Sequence, residues 1–139
     1  MTQAQVKTSE GTPSPTQPPP RHVLVVDDDD AVRRMLVEFL CSQGYRVTEA
    51  PDGEQALAIL LEQPGQFNVV LSDIRMPVLC GARLLTQVRE THSLTIPFIF
   101  LSGGCSDDQR DAIQEHQATM LEKPCKLRDI ATHLQAVAA

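Results

Sequence analysis

Three carboxylates, one hydroxyl and one ammonium stand at comparable places in this 139-residue sequence, each beside the end of a short apolar run. Val25-Val26 leads into Asp27 and Asp28, Leu71-Ser72 into Asp73, Phe100-Leu101 into Ser102, and Leu121-Glu122 into Lys123 and Pro124. Gathered in one place, the acids alone would repel one another and raise their pKa values until some protonated. A hard divalent cation with oxygen ligands resolves that repulsion, and Mg²⁺ typically takes one or two carboxylates and keeps several waters. Lys123 adds a second positive charge able to meet a phosphoryl oxygen. The set reads as a site for a phosphoryl group and Mg²⁺, in which a carboxylate can itself be the nucleophile.

Such a set needs elements that bring it to one edge, and the hydrophobic pattern supplies them. Short apolar or β-branched runs at His22–Val26, Arg46–Ala50, Asn68–Ser72, Pro97–Leu101 and Ala118–Glu122 read as five strands. Between them run helical patterns. Val32, Met35, Leu36, Phe39 and Leu40 form one apolar stripe, closed by Gly44, and Ala56, Leu57, Leu60 and Leu61 form the next, stopped by Pro64-Gly65. Leu84, Leu85 and Val88 mark a third helix ending near His92, and Leu127, Ile130, Leu134 and Val137 mark the last. The stretch Ser106–Gln117 is polar except for Ala112 and Ile113, so its helix is expected to be thinly anchored. Five strands alternating with five helices predict an α/β fold with a parallel sheet, right-handed crossovers and helices on both faces. In such folds the functional site lies at the carboxyl ends of the strands, near the topological switch point.

Composition narrows the function classes. A net charge of −6 argues against nucleic acid or an anionic membrane surface as the main partner. No run approaches the roughly 20 apolar residues of a membrane span, and no secretory h-region opens the chain, so a cytoplasmic protein is expected. The four cysteines contain no CxxC pair and read as reduced thiols. His22, His92, His116 and His133 fall on different elements without metal-ligand spacing and read as structural or surface residues. Five of the ten prolines lie in residues 1–20, which are expected to form a disordered tail ahead of one domain over 21–139.

Val25-Val-Asp-Asp28, Ser72-Asp-Ile-Arg-Met-Pro77, Leu101-Ser102 and Glu122-Lys-Pro124, in this order on a matching βα pattern, resemble the receiver domain of two-component response regulators, in a single-domain, chemotaxis-regulator-like form. The resemblance implies a doubly wound, flavodoxin-like (βα)5 fold with a five-stranded parallel sheet in the order 2-1-3-4-5. It implies Asp73 as phospho-acceptor from a sensor histidine kinase or a histidine phosphotransfer protein, and signalling to a downstream protein target. Mg²⁺ would be held by Asp28 with Asp27 in support, by Asp73 and by the backbone carbonyl of Arg75. Ser102 and Lys123 would each meet a phosphoryl oxygen, and the bond before Pro124 would be cis. Where the family carries an aromatic on strand five this sequence has Met120, and where it often carries Asp this sequence has Cys80.

Several residues have plainer roles. Asp29 and Asp30, at a helix start, are expected to cap it, and Gly103 and Gly104 to relieve crowding beside the phosphoryl group. Such a domain is not a turnover enzyme: it catalyses only its own phosphorylation and dephosphorylation. One alternative is a receiver-like binding module that works without phosphorylation, but the complete acid–acid–lysine set argues against it. A phosphatase of the haloacid dehalogenase type would use Asp27-Asp28-Asp29 and leave Asp73 unexplained. No output domain is expected beyond the last helix.

Overall fold

The computed structural model describes residues 21–76 and 78–138. The expected tail over 1–20 lies outside the described residues. The elements run β1 (His22–Val26), α1 (Asp30–Ser42), β2 (Arg46–Ala50), α2 (Gly53–Glu62), β3 (Val69–Asp73), α3 (Gly81–Thr86, continued by a π-turn over Gln87–Thr91), β4 (Phe98–Ser102), α4 (Asp107–Glu115), β5 (Thr119–Glu122) and α5 (Leu127–Ala138). The strands form one parallel sheet in the order β2-β1-β3-β4-β5, as the sequence pattern and the resemblance imply.

Strand alternation splits the core into two layers. Leu24, Val26, Phe98 and Phe100 point to the face covered by α2, α3 and α4, where Ala56, Leu60, Leu84, Leu85 and Ile113 close the layer. Val23, Val25, Ile99 and Leu101 point to the other face, beneath Leu36, Val37 and Leu40 of α1 and Ile130 and Leu134 of α5. Because both faces are covered, the strands read as continuous apolar runs. The stripe on α1 is rotated from the expected one: Val37 is buried, and Met35 is 48% exposed. On α2, Leu61 is likewise exposed.

Strands β3 and β4 each lie one residue later than expected at both ends, and β5 begins one residue later, at Thr119. Asp73 and Ser102 are the last residues of β3 and β4, rather than the first beyond them, because Asp73 pairs with Leu101 and Ser102 with Glu122 in the ladder. Backbone pairing fixes both residues more firmly than a loop would.

At the amino end of β1, His22 is buried, packs tilted against Phe67 with ring centroids 4.3 Å apart and pairs through Nε2 with Thr48 Oγ1 at 2.7 Å. Burial, helped by the nearby Arg46 charge, pushes its pKa down to about 4. In the unfolded chain the imidazole takes its proton near 6.5, so below that pH the unfolded state binds more protons and stability falls as pH falls toward 4. Between pH 7 and about pH 5, urea unfolding should show a loss of about 2 kcal/mol that a His22→Gln variant lacks. Equal pH slopes in the two proteins would contradict a neutral buried imidazole.

Candidate functional site

The sheet order makes the ends of β1, β3, β4 and β5 neighbours and leaves the end of β2 outside them. The chain leaves β1 toward β2 on one side and β3 toward β4 on the other, so a crevice opens between the ends of β1 and β3. Asp27 and Asp28 follow β1 on one side of it and Asp73 closes β3 on the other; carboxylate oxygens of the three lie within 4.8 Å of one another. Lys123, just after β5, brings Nζ to 3.6 Å from Asp73 Oδ2. Of the expected residues, the structure therefore brings Asp27, Asp28, Asp73 and Lys123 together.

The three acids differ in environment. Asp27 is 2% exposed, and its Oδ1 accepts from the Asp29 N–H at 2.9 Å. Desolvation raises its pKa above the usual carboxylate value, opposed by the Asp29 hydrogen bond and reinforced by the Asp73 charge. Asp28 is exposed, while the Asp73 side chain is mostly buried between the acid pair and Lys123. A cation between these oxygens would favour the charged form of Asp27, against the desolvation and the Asp73 repulsion that push it toward its neutral form.

Ser102 is buried at the end of β4, where its Oγ accepts from the Gly104 N–H at 2.9 Å, leaving its own O–H as a donor. Its carbonyl accepts from the Lys123 N–H at 2.7 Å, so one backbone bond ties together the residues that carry the hydroxyl and the ammonium. A recess of about 190 Å³ opens there, lined by Ser102, Gly104, Arg110, Met120 and Lys123 among others. A Cβ on Gly103 or Gly104 would meet no protein atom within 4 Å, so neither glycine relieves crowding among protein atoms. Gly104 instead sits at φ +141, a conformation that other residues rarely adopt. Arg75 lies two residues past Asp73 with its side chain exposed. The Lys123–Pro124 bond is cis.

Plainer expectations also meet their structure. Asp29 is the N-cap of α1, accepting from the Ala31 and Val32 N–H groups, and Asp30 opens the helix. Cys80 is the residue before α3, and its Sγ accepts from Gln109 Nε2 at 3.8 Å, joining α3 to α4. Met120 is half-buried with its sulfur 4.0 Å from Cys105 Sγ. All four cysteines are free.

Three positioning residues escaped the sequence pattern. Arg33 donates from Nη1 to the Asp27 carbonyl at 2.7 Å, from Nε to Glu49 at 2.9 Å and from Nη2 to Asp30 at 2.6 Å. It ties the end of β1 to α1 and β2. Gly81 lies so close to β3 that a Cβ would stand 2.6 Å from the Asp73 carbonyl and 2.7 Å from the Phe100 ring. Gly53 holds the far side of the same loop, where a Cβ would overlap the Leu79 carbonyl.

Comparison with known proteins agrees with this architecture. A family model described as the response regulator receiver domain matches residues 23–135. The sensor kinase CckA of Brucella abortus is 42% identical over 111 residues, which are 79% of this chain but 12% of that protein. The chain thus spans about an eighth of that relative. The response regulator receiver protein CpdR of Brucella abortus is 31% identical over 116 residues, covering 83% of this chain and 94% of CpdR. Among solved structures, the chemotaxis protein CheY4 of Vibrio cholerae superposes with a TM-score of 0.74 at 32% identity, over 85% of this chain and 98% of that one.

Proposed function

The chain belongs to the response regulator receiver domain family of two-component signalling, and from that premise we propose that residues 21–139 form a receiver that accepts a phosphoryl group on Asp73. The donor is a phosphohistidine of a sensor histidine kinase or a histidine phosphotransfer protein, and the aspartyl phosphate switches a downstream protein target or relays onward. The observation that carries this reading is the single constellation of Asp27, Asp28 and Asp73 within 4.8 Å, with Lys123 Nζ at 3.6 Å from Asp73.

The donor set at the three aspartates suits Mg²⁺: it is all carboxylate oxygen, and one acid is buried beside another. Asp27, Asp28 and Asp73 would hold the ion, with the Arg75 backbone carbonyl as a further ligand. When bound, Mg²⁺ supplies neutralisation of the acids and of charge on the phosphoryl oxygens. The protein's own groups do the rest. An Asp73 carboxylate oxygen forms the bond to phosphorus as the phosphorus–nitrogen bond of the donor breaks, and the leaving imidazole keeps that electron pair. Lys123 pairs with one phosphoryl oxygen, and the Ser102 hydroxyl donates to another. Asp27 is a poor nucleophile here because its carboxyl is buried, and one of its oxygens already accepts from the backbone. Receiver domains are generally not true enzymes, and on this reading the chain catalyses only its own phosphorylation and dephosphorylation.

Helix α4 is suited to respond. Its sole fully buried side chain is Ile113, and the loop that leads into it leaves β4 at Ser102 and carries Gly104, which bonds back to the Ser102 hydroxyl. Incubation of the folded chain with a small acyl phosphate and Mg²⁺, followed by intact-mass measurement, should add one phosphoryl group. Absence of that adduct on folded protein would remove the proposal.

A further inference from the structure

The end of α3 and the end of α4 meet in a second cluster that the phosphoryl site does not use. Glu90, in the π-turn that extends α3, and Glu115 and His116, at the end of α4, bring carboxylate and imidazole atoms within 4.8 Å of one another. His116 Nε2 lies 3.0 Å from Glu90 Oε2, and the imidazole side chain is 14% exposed. By sequence spacing His116 shows no metal-ligand pattern: Glu115 is its chain neighbour, and its hydrogen-bonded partner Glu90 comes from 26 positions away on another helix.

We propose that Glu90, Glu115 and His116 form a binding site for a divalent transition metal of the Zn²⁺ class, separate from the aspartate site. An imidazole nitrogen with two carboxylates is a donor set that Zn²⁺ accepts readily, whereas Mg²⁺ and Ca²⁺ prefer oxygen alone. Three protein ligands leave a fourth position for water. Both glutamates are exposed, so the rotations that bring them from this spacing to ligand distance cost little packing. The dication also removes the repulsion between two carboxylates brought within 4.8 Å of each other beside the imidazole.

The site would act on a helix with a single fully buried side chain. Helix α4 enters the core through Ile113, and the backbone N–H of Ala118 bonds back to the Ile113 carbonyl just before β5 starts. A metal joining α4 to α3 would pin the corner from which β5 runs on to Lys123. Occupancy of the seam would thus favour one position of the element that the aspartyl phosphate is placed to move.

The test is calorimetric titration of the full chain with Zn²⁺ in excess Mg²⁺, paired with the visible spectrum of the Co²⁺ form. One equivalent should bind saturably in the parent and equally in Asp73→Asn. His116→Gln and Glu115→Gln should each weaken binding by at least about tenfold, since loss of even an outer partner of a metal ligand typically costs about 10- to 100-fold. Glu115 is exposed, so its variant keeps the fold, and metal-free melting curves verify that. Thiolate-to-cobalt charge-transfer bands, or equal affinity in the parent and both variants, would assign the metal to cysteine or to the aspartates and overturn the proposal. So would the absence of saturable binding.

Discussion

Asp73→Asn is expected to lose phosphoryl incorporation by more than about 10³-fold, and added Mg²⁺ should not restore it, because removing a nucleophile removes the bond-forming step itself. Asp27→Asn is expected to behave differently. Its side chain would support the cation, and its Oδ1 holds the start of the α1 cap through the Asp29 N–H. Loss of one such charge should slow incorporation by about 10- to 100-fold, with much of the rate returning at higher Mg²⁺. Intact-mass time courses at two Mg²⁺ concentrations separate the cases. Were Asp27→Asn the variant that no Mg²⁺ rescues, and Asp73→Asn the mild one, the nucleophile would belong after β1, as in the dehalogenase-type arrangement. Asp73 is the residue proposed because it ends the central strand, with acids on one side and Lys123 on the other.

Much of this site was legible because its residues mark strand ends, and strand ends follow from hydrophobic runs. Val23 to Val26 and Phe98 to Leu101 are buried on both faces, and a continuous apolar run is what such burial requires. The one-residue shifts at Asp73 and Ser102 arose because a polar side chain looks like a loop residue, although its backbone still pairs in the ladder. The rotated stripe on α1 has a related cause. Met35 and Val37 are both apolar, and only the packing of α1 against β1 and α5 decides which is covered.

Contacts between residues distant in sequence were not legible. Arg33 on an amphipathic helix looks like a solvated charge, and nothing local tells that it reaches the Asp27 carbonyl and Glu49 at once. His116 and Glu90 belong to separate helices, and ligand spacing along a chain is blind to such pairs. The close approaches at Gly53 and Gly81 are also set by tertiary packing, since the absence of a side chain leaves no pattern to read.

Gly81 therefore carries the second large prediction. Gly81→Ala should lower the unfolding free energy by about 3 kcal/mol, because the added carbon meets a backbone carbonyl and a packed ring, neither of which can rotate away. For a domain of this size that corresponds to roughly 10 °C in melting temperature. Gly103→Ala is the matched control: its Cβ meets open space, and a change within about 0.5 kcal/mol is expected. Urea unfolding of the two variants beside the parent makes the comparison, and equal stability of Gly81→Ala and Gly103→Ala would refute the packing constraint. The effect should reach the chemistry too. The atom in the way is the carbonyl of Asp73 itself, which also accepts from the Ser72 hydroxyl at 2.7 Å. Relief of the clash must move either the β3 end or the loop that begins α3, and Gly53 against Leu79 blocks the loop from moving toward α2. The strand end is then the part that yields, so the variant that remains folded should also phosphorylate more slowly at unchanged Mg²⁺.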